Sequence, residues 1–535
     1  MRILVRTGIL IAISLIVFNF YCTAQTKSDT VFWYHADPRI DGIPGIGLDR
    51  LYREVISDRK PQKSIVVAVL DAGVDICHPD LADCIWVNKN EIPNNGIDDD
   101  NNGYTDDING WNFLGNENGE NLEYDTWELT RIYTSLSEKF SKLDTSDLNR
   151  RNQWEYYCFK EIQDRFLRER AQAKQMYETY QKFKSDFDRS MDLIKPFVSD
   201  EEISFDKLSK ISIESDSAAR QALDFIKRCY SAGFDEITTN LIYNSKRILY
   251  SYKLNPDFDS RSIIGDNPDD LSERIYGNPD VAGPDPFHGT GVAGIIAAAR
   301  NNQSGIDGIT NSVEIMCVRA IPSGDERDKD VANAIYYAVD NGAQIINMSF
   351  GKPYSPNKTH VEKAIRYAEG KGVLIVTGSG NDGENIDSLP RYPNKYYSNS
   401  GECKTWINTG ASTGHADSSL VWQSSSYGKK GVDLLAPGHM VTTLFSSTKT
   451  FISEGTSISA PFVSGAAALL WSYYPKLSAL EVKEIMLASA ERFDDREFNK
   501  PGNSSNTVHL KEICKTGGLL NIYNAFILAD QRYRN

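Results

Sequence analysis

The chain has 535 residues, 40% of them hydrophobic and 24% charged, with a formal net charge of −15 at pH 7. That length and balance supply two or three domains with an ample core and exclude a disordered or fibrous chain. The acidic excess leaves a nucleic-acid role without electrostatic support.

Arg2 and Arg6 precede an apolar run from Ile9 to Phe18, and Cys22-Thr23-Ala24 then sets small residues at a cleavage position. This pattern predicts a signal peptide over residues 1–24, cut after Ala24, and an exported protein that is periplasmic, surface-bound or secreted. The run is short for a membrane span, so a retained anchor is the weaker reading; no second long apolar run follows, so no stable span is expected after cleavage. Bulky Phe20-Tyr21 argues against lipidation at Cys22. Without Cys22 an odd number of the eight cysteines remains, so at least one thiol stays free. Export permits disulfides, and Cys77 and Cys84 flank a turn-like His78-Pro79-Asp80; they are a candidate pair, although spacing alone does not set connectivity.

Ile65–Leu70 is a continuous apolar run that ends at Asp71, the pattern of a strand buried on both faces. Asp98-x-Asp100-x-Asn102-Gly103-x-x-Asp106 then sets oxygen ligands at alternate positions, with Gly sixth for the turn. A structural Ca2+ held by Asp98, Asp100, Asn102 and Asp106 is therefore expected, with no cofactor required for chemistry. The twelfth position is Asn109 rather than a bidentate Glu, and a polar turn accounts for the same residues.

Residues 118–272 change character. Leu148–Leu193 contains neither Gly nor Pro, and Phe159, Ile162, Phe166, Ala173, Tyr177, Tyr180, Phe183, Phe187 and Met191 recur mostly at three- or four-residue steps. One apolar stripe on a charged helix follows, about 70 Å long at about 1.5 Å per residue. Pro196 ends it, Ser199-Asp200-Glu201-Glu202 restarts a helical stretch, and Ser217–Cys229 and Thr238–Tyr252 are shorter helices that can pack on the stripe. A spacing hairpin, a substrate gate, a docking arm and a built-in inhibitor are all compatible with this pattern.

Beyond residue 272, strands over Ile315–Val318, Ile345–Met348, Val373–Thr377, Trp406–Gly410 and Val432–Leu435 alternate with helices over His288–Arg300, Val331–Asn341, Lys358–Gly370, Ser457–Tyr474 and Leu480–Ala490. The last is opened by a capping box at Ser478 and Glu481. Such alternation predicts a parallel sheet covered on both faces. The chain divides into residues 1–24, 25–117, 118–272 and 273–535.

Three segments carry chemistry. Asp71 closes an apolar strand; His288 opens the small-residue helix His288-Gly289-Thr290-Gly291-Val292-Ala293-Gly294; Ser457 stands in Gly455-Thr456-Ser457-Ile458-Ser459-Ala460-Pro461. They offer a nucleophile, a base and a group that orients the base. Asp75, past the strand end, reads as a turn residue. The order Asp, His, Ser is that of subtilisin, and the segments resemble subtilisin-like serine peptidases over residues 40–116 and 275–530. The likeness is to exported, Bacteroidetes-type members with a long insertion between the Asp and the His.

The resemblance implies an α/β, three-layer fold with a central mostly parallel sheet, plus an α-helical insertion over residues 118–272. It implies a serine endopeptidase that cuts extended protein or peptide segments through Asp71, His288 and Ser457. Asn381, in Gly378-Ser379-Gly380-Asn381, matches the family's oxyanion donor. Ser349-Phe350-Gly351 resembles the strand on which an extended peptide pairs, Gly378, Ser379 and Gly380 also bind substrate, and Ser323-Gly324-Asp325 forms the opposite wall. Too little chain precedes the Asp71 strand for a large inhibitory pro-segment, so none is expected. Gly291 stands where the family has a second His, which implies a modest stability cost. Ala72 replaces a Ser, which implies a looser shell around Asp71. The alternative function is a catalytically idle scaffold of this fold that meets a protein partner through its insertion.

Overall fold

The computed structural model describes residues 22–23, 32–142, 150–198, 203–446 and 449–533. The apolar run Ile9–Phe18 and the restart at Ser199–Glu202 lie outside these residues.

Nine strands form one sheet, the longer ones built from short runs rich in β-branched and apolar residues. They are β1 (Ile65–Asp71), β2 (Gly110–Asn112), β3 (Val313–Arg319), β4 (Ile345–Met348), β5 (Leu374–Gly378), β6 (Trp406–Ser412), β7 (Leu434–Pro437), β8 (Glu491–Arg492) and β9 (Gly518–Leu519). Their spatial order is β8-β9-β7-β6-β5-β4-β1-β3-β2. Every pairing is parallel except β8 with β9. Along β1 the pleat sends Ile65, Val67 and Val69 into one core and Ala68 and Leu70 into the other. That two-sided burial explains why the run is continuous rather than alternating. Against the first face pack the helices that begin at Phe287 and Thr456; against the second pack the helices Asp328–Asp340 and Lys358–Gly370. The three-layer α/β fold expected from the sequence is the one observed.

The insertion is helical as expected. It comprises α1 (Glu128–Ser141), α2 (Arg150–Ile194), α3 (Ser217–Ser231) and α4 (Glu236–Ile248), with a wider turn over Leu249–Lys253. Asp216 and Asp235 cap α3 and α4 by accepting backbone N–H groups. The α2 stripe serves two clusters. Its far half, through Phe183 and Phe187, packs with Leu223 and Ile226 of α3 in a cluster drawn wholly from the insertion. Its near half, through Ile162, Phe166 and Ala173, packs with Leu129, Leu254 and Tyr354, the last a residue of the sheet domain.

Buried ion pairs fasten the near half. Arg327 donates to both oxygens of Asp125, and Lys352 and Arg131 both reach Glu128, at 2.8 and 2.6 Å. Arg261 pairs with Asp330 and Asp266. Each of these charges is removed from water and is tolerable only with its partner present.

The candidate Cys77–Cys84 disulfide is not formed. Cys77 is exposed, whereas Cys84 is buried, its thiol donating to the carbonyl of Leu81. The seven cysteines from Cys77 to Cys514 are all free. Among the described residues no helix is long and apolar enough to cross a membrane. Cys22–Thr23, upstream of the expected cleavage point, pairs with Thr450–Phe451 in the uncut chain.

Candidate active site

Parallel strands bring their carboxyl ends to one sheet edge, where loops are free to carry side chains. There β1 ends in Asp71, β4 runs into Ser349, and β5 runs into Ser379-Gly380-Asn381. Two helices start at the same edge, α5 (Phe287–Ala297) with His288 and α8 (Thr456–Tyr473) with Ser457 in their first turns.

His288 Nδ1 lies 2.8 Å from Asp71 Oδ1. The carboxylate is buried, while the imidazole is 42% exposed toward the cleft. Enclosure works against a charged ring, but the Asp71 carboxylate, by charge and hydrogen bond, and Asp285 behind it outweigh this and raise the His288 pKa above its ordinary value. Asp71 Oδ1 also accepts the Ala72 N–H at 2.8 Å, whereas Oδ2 is buried with no hydrogen-bond partner among the described residues. Ala72 has no hydroxyl to offer it.

Gly455 enters α8 at φ +143°, a conformation that favours glycine. A Cβ there would lie 3.1 Å from Ser457 Oγ and 3.3 Å from Asn381 Nδ2, so hydroxyl and amide border one small space. Asn381 Oδ1 is committed elsewhere, accepting the Thr456 N–H at 2.8 Å and the Thr456 hydroxyl at 3.0 Å. That hydroxyl in turn accepts the Gly380 N–H at 3.0 Å. With its oxygen held, the side chain presents Nδ2 to the space beside Ser457. Ser349 Oγ donates to the Ser457 carbonyl at 2.8 Å and accepts from Asn347 Nδ2 at 2.9 Å, which ties β4 to the start of α8.

These groups line a cleft of about 590 Å3. Phe350, Gly351, Gly324, Gly378, Ser379 and Gly380 all line it. A Cβ on Gly378 would meet the Thr456 carbonyl at 2.6 Å, so glycine is what lets β5 and α8 approach. Lys253, from the insertion, also borders the cleft. Its wide turn is held by its carbonyl, which accepts from Trp127 N and Thr130 Oγ1. No motif announced Lys253, because only the folded insertion brings it back to residue 324. Thr456 lay inside a recognised segment, yet its hold on Asn381 depends on β5 and α8 meeting. Asp75 is a turn residue as read, accepting the Cys77 N–H.

Gly291 has a packing reason. Its carbonyl accepts the Thr443 hydroxyl at 2.6 Å, and a Cβ would come within 3.2 Å of Thr443 Cγ2. The hairpin Val441–Ser446 and Lys449–Ser453 occupies the room a histidine would need.

The loop around residue 100 is arranged differently from its pattern. Asp98 accepts the backbone N–H groups of Asn102 and Gly103, and Asp106 those of Asn95 and Gly96. Asn102 Oδ1 accepts the Tyr104 N–H. Of the four residues named from sequence, Asp100 alone joins the carboxylate cluster found among the described residues, Glu91, Asp100 and Asp107, whose ligand atoms lie within 4.8 Å of one another. Burial pushes the Asp107 carboxyl up to about 6, against hydrogen bonds from Tyr337, Asn88 and Asn102. An all-oxygen set suits a hard cation.

Sheet order, the Asp–His pair and the converging Ser and Asn define a class of nucleophilic hydrolase sites. A model of the subtilase family matches residues 62–507, and the chain belongs to that family. It is 34% identical to a cell wall-associated protease of Bacillus subtilis over 275 residues, 49% of this chain and 28% of that protein. A thermophilic serine proteinase of a Bacillus species is 35% identical over 41% of this chain and 49% of its own, and thermitase of Thermoactinomyces vulgaris 36% identical over 39% and 72%. The chain thus spans under half the length of the first two. A chain from a solved subtilase cytotoxin assembly aligns over 46% of this one and 78% of its own, at 27% identity and a TM-score of 0.39.

Proposed function

We propose that the protein is an exported serine endopeptidase acting on extended protein segments. The observation that carries this reading is the 2.8 Å contact of His288 Nδ1 with Asp71, at the rim where Ser457 Oγ and Asn381 Nδ2 border one space.

Ser457 Oγ attacks the substrate carbonyl as His288 Nε2 takes its proton, while Asp71 holds the other ring nitrogen and stabilises the imidazolium. The carbonyl oxygen becomes an oxyanion beside Asn381 Nδ2 and the amino end of α8, both suited to negative charge. His288 then gives its proton to the departing amine, the C–N bond breaks, and water releases the acyl group by the same steps in reverse. An extended peptide pairs with the edge at Ser349–Gly351. Glu91, Asp100 and Asp107 would hold a calcium ion, which supplies the positive charge that three neighbouring carboxylates lack.

The test is intact-mass analysis after treatment with a fluorophosphonate, with calcium and with chelator. One adduct mapped to Ser457, absent in Ser457→Ala along with casein hydrolysis, is expected. Hydrolysis that survives Ser457→Ala overturns the assignment of this serine. No adduct under either condition favours the idle scaffold.

A further inference from the structure

Beside the cleft lies a second cavity of about 290 Å3, which shares His288, Ser349 and Phe350 with it. A peptide paired on the Ser349–Gly351 edge places successive side chains on opposite faces. If the residue whose carbonyl meets Ser457 sends its side chain into the large cleft, the residue before it faces His288 and this cavity. Its lining combines apolar Ile321, Pro322 and Phe350 with the acidic residues Glu123 and Asp285. Asp71 borders it too, with the buried Oδ2 that has no partner among the described residues.

The positive group already present, Arg319, feels the charge of Glu123 and Asp285 but makes no hydrogen bond to either. Arg319 is buried in the wall, and its guanidinium donates to the carbonyls of Ala72, Leu114 and Leu122 and to Asn112 Oδ1. None of these acceptors is a carboxylate. Glu123 accepts from the Tyr124 hydroxyl and Asp285 from the Phe287 N–H at 3.3 Å, but neither forms an ion pair with a described residue, which leaves their charge for a ligand.

A cavity lined by both apolar and acidic residues fits a side chain with a hydrocarbon stem and a cationic head. We propose that this cavity selects arginine or lysine at the residue preceding the cleaved one, with Glu123, supplied by the insertion, and Asp285 as the selecting groups. The proposal rests on the peptidase reading and names its substrate class: extended segments with a basic residue at that position.

The test compares internally quenched peptides that differ only there, carrying arginine, norleucine or glutamate, with each cleavage site read by mass spectrometry. In the unaltered protein the arginine peptide should exceed the norleucine peptide in kcat/KM by about fivefold or more, and the glutamate peptide should be poorest. In Glu123→Gln and Asp285→Asn the arginine-to-norleucine ratio should fall toward one, and in Glu123→Lys the glutamate peptide should overtake. Each variant is first labelled at Ser457 with the fluorophosphonate to show that its site is assembled. Equal cleavage of the arginine and norleucine peptides, an unchanged ratio in labelled variants, or cleavage of the arginine peptide at another bond overturns the proposal alone. No cleavage and no adduct overturns the peptidase reading and this proposal with it.

Discussion

At the scale of single residues, the site works by committing one end of each polar group so that the other end is aimed. Asn381 has its oxygen tied to Thr456, which leaves Nδ2 for an oxyanion. Asn381→Ala should lower kcat by about 10²–10³ with little change in KM, the loss known for this donor in subtilisin itself. The measurement is steady-state kinetics on one peptide. His288 has one nitrogen tied to Asp71, and its raised pKa has a signed consequence. The ring must be neutral to accept the Ser457 proton, so activity is lost as pH falls through that pKa. The acid limb of kcat/KM should have its midpoint above about 6.5, and a midpoint below it would contradict the Asp71 effect.

At the scale of elements, buried charge decides what can move. The helix Asp328–Asp340 and the loop before it face α1 through Glu128, Lys352 and Arg131, so the Ser349–Gly351 edge is braced by the insertion. Within that contact Glu326 is buried, and its Oε1 has no partner among the described residues. Burial pushes its carboxyl up to about 8, although Lys352 pulls the other way. A folded-state pKa above the unfolded one contributes stability below the unfolded value and loses it as pH rises through the folded value. Glu326 should therefore cost stability between about pH 4.5 and 8, and Glu326→Gln should remove its share of the fall, Asp107 keeping its own below about pH 6. The variant should gain about 1–3 kcal/mol at pH 8 relative to pH 4.5. Urea unfolding at both pH values measures it, and parallel curves for the two proteins would refute it.

Over the whole molecule, the insertion has two halves with different attachments. The distal cluster, from Tyr180 to Ile242, contains insertion residues only, whereas the proximal one includes Tyr354 and adjoins the Glu128–Lys352 and Asp125–Arg327 pairs. Tyr177 and Tyr243 lie 6.2 Å apart between ring centroids, close enough for a short linker. Replacing residues 178–242 by a short Gly-Ser linker should leave peptide hydrolysis intact. Excising residues 118–272 should abolish soluble expression, because it takes Asp125 from Arg327, Glu128 from Lys352 and Arg261 from Asp330, leaving Lys352 the Asp328 carboxylate and Asp330 the Tyr276 hydroxyl. Expression trials and kinetics on both deletions check this, and an active full excision would show the ion pairs to be dispensable.

How much was legible in sequence follows from the range of the forces involved. β1, β3 to β7 and the helices that begin near His288 and Ser457 could be read because burial leaves unbroken apolar runs, whereas the hairpin Val441–Ser446 and Lys449–Ser453 and the short β8 and β9 left no such pattern. The α2 stripe was legible for the same local reason, through its helical period. The Asp, His and Ser segments stood out because small residues must surround groups that a substrate approaches. Other features depend on residues distant in the chain. Asp98 and Asp106 turn inward to cap their own loop, while Glu91 and Asp107 join Asp100, a choice made by backbone geometry rather than ligand spacing. Cys77 and Cys84 stay apart because Cys84 is drawn into the core. Lys253 reaches the cleft, and Glu123 the cavity beside it, only because buried charges fold the insertion back on the sheet. Sequence by itself determined the sheet, the long helix and the chemical groups of the site, since these depend on local pattern. The tertiary structure decided which carboxylates cluster, which amide is aimed, and that the insertion borders the cleft, since those depend on contacts between segments distant in the chain, 224 residues apart for Glu128 and Lys352.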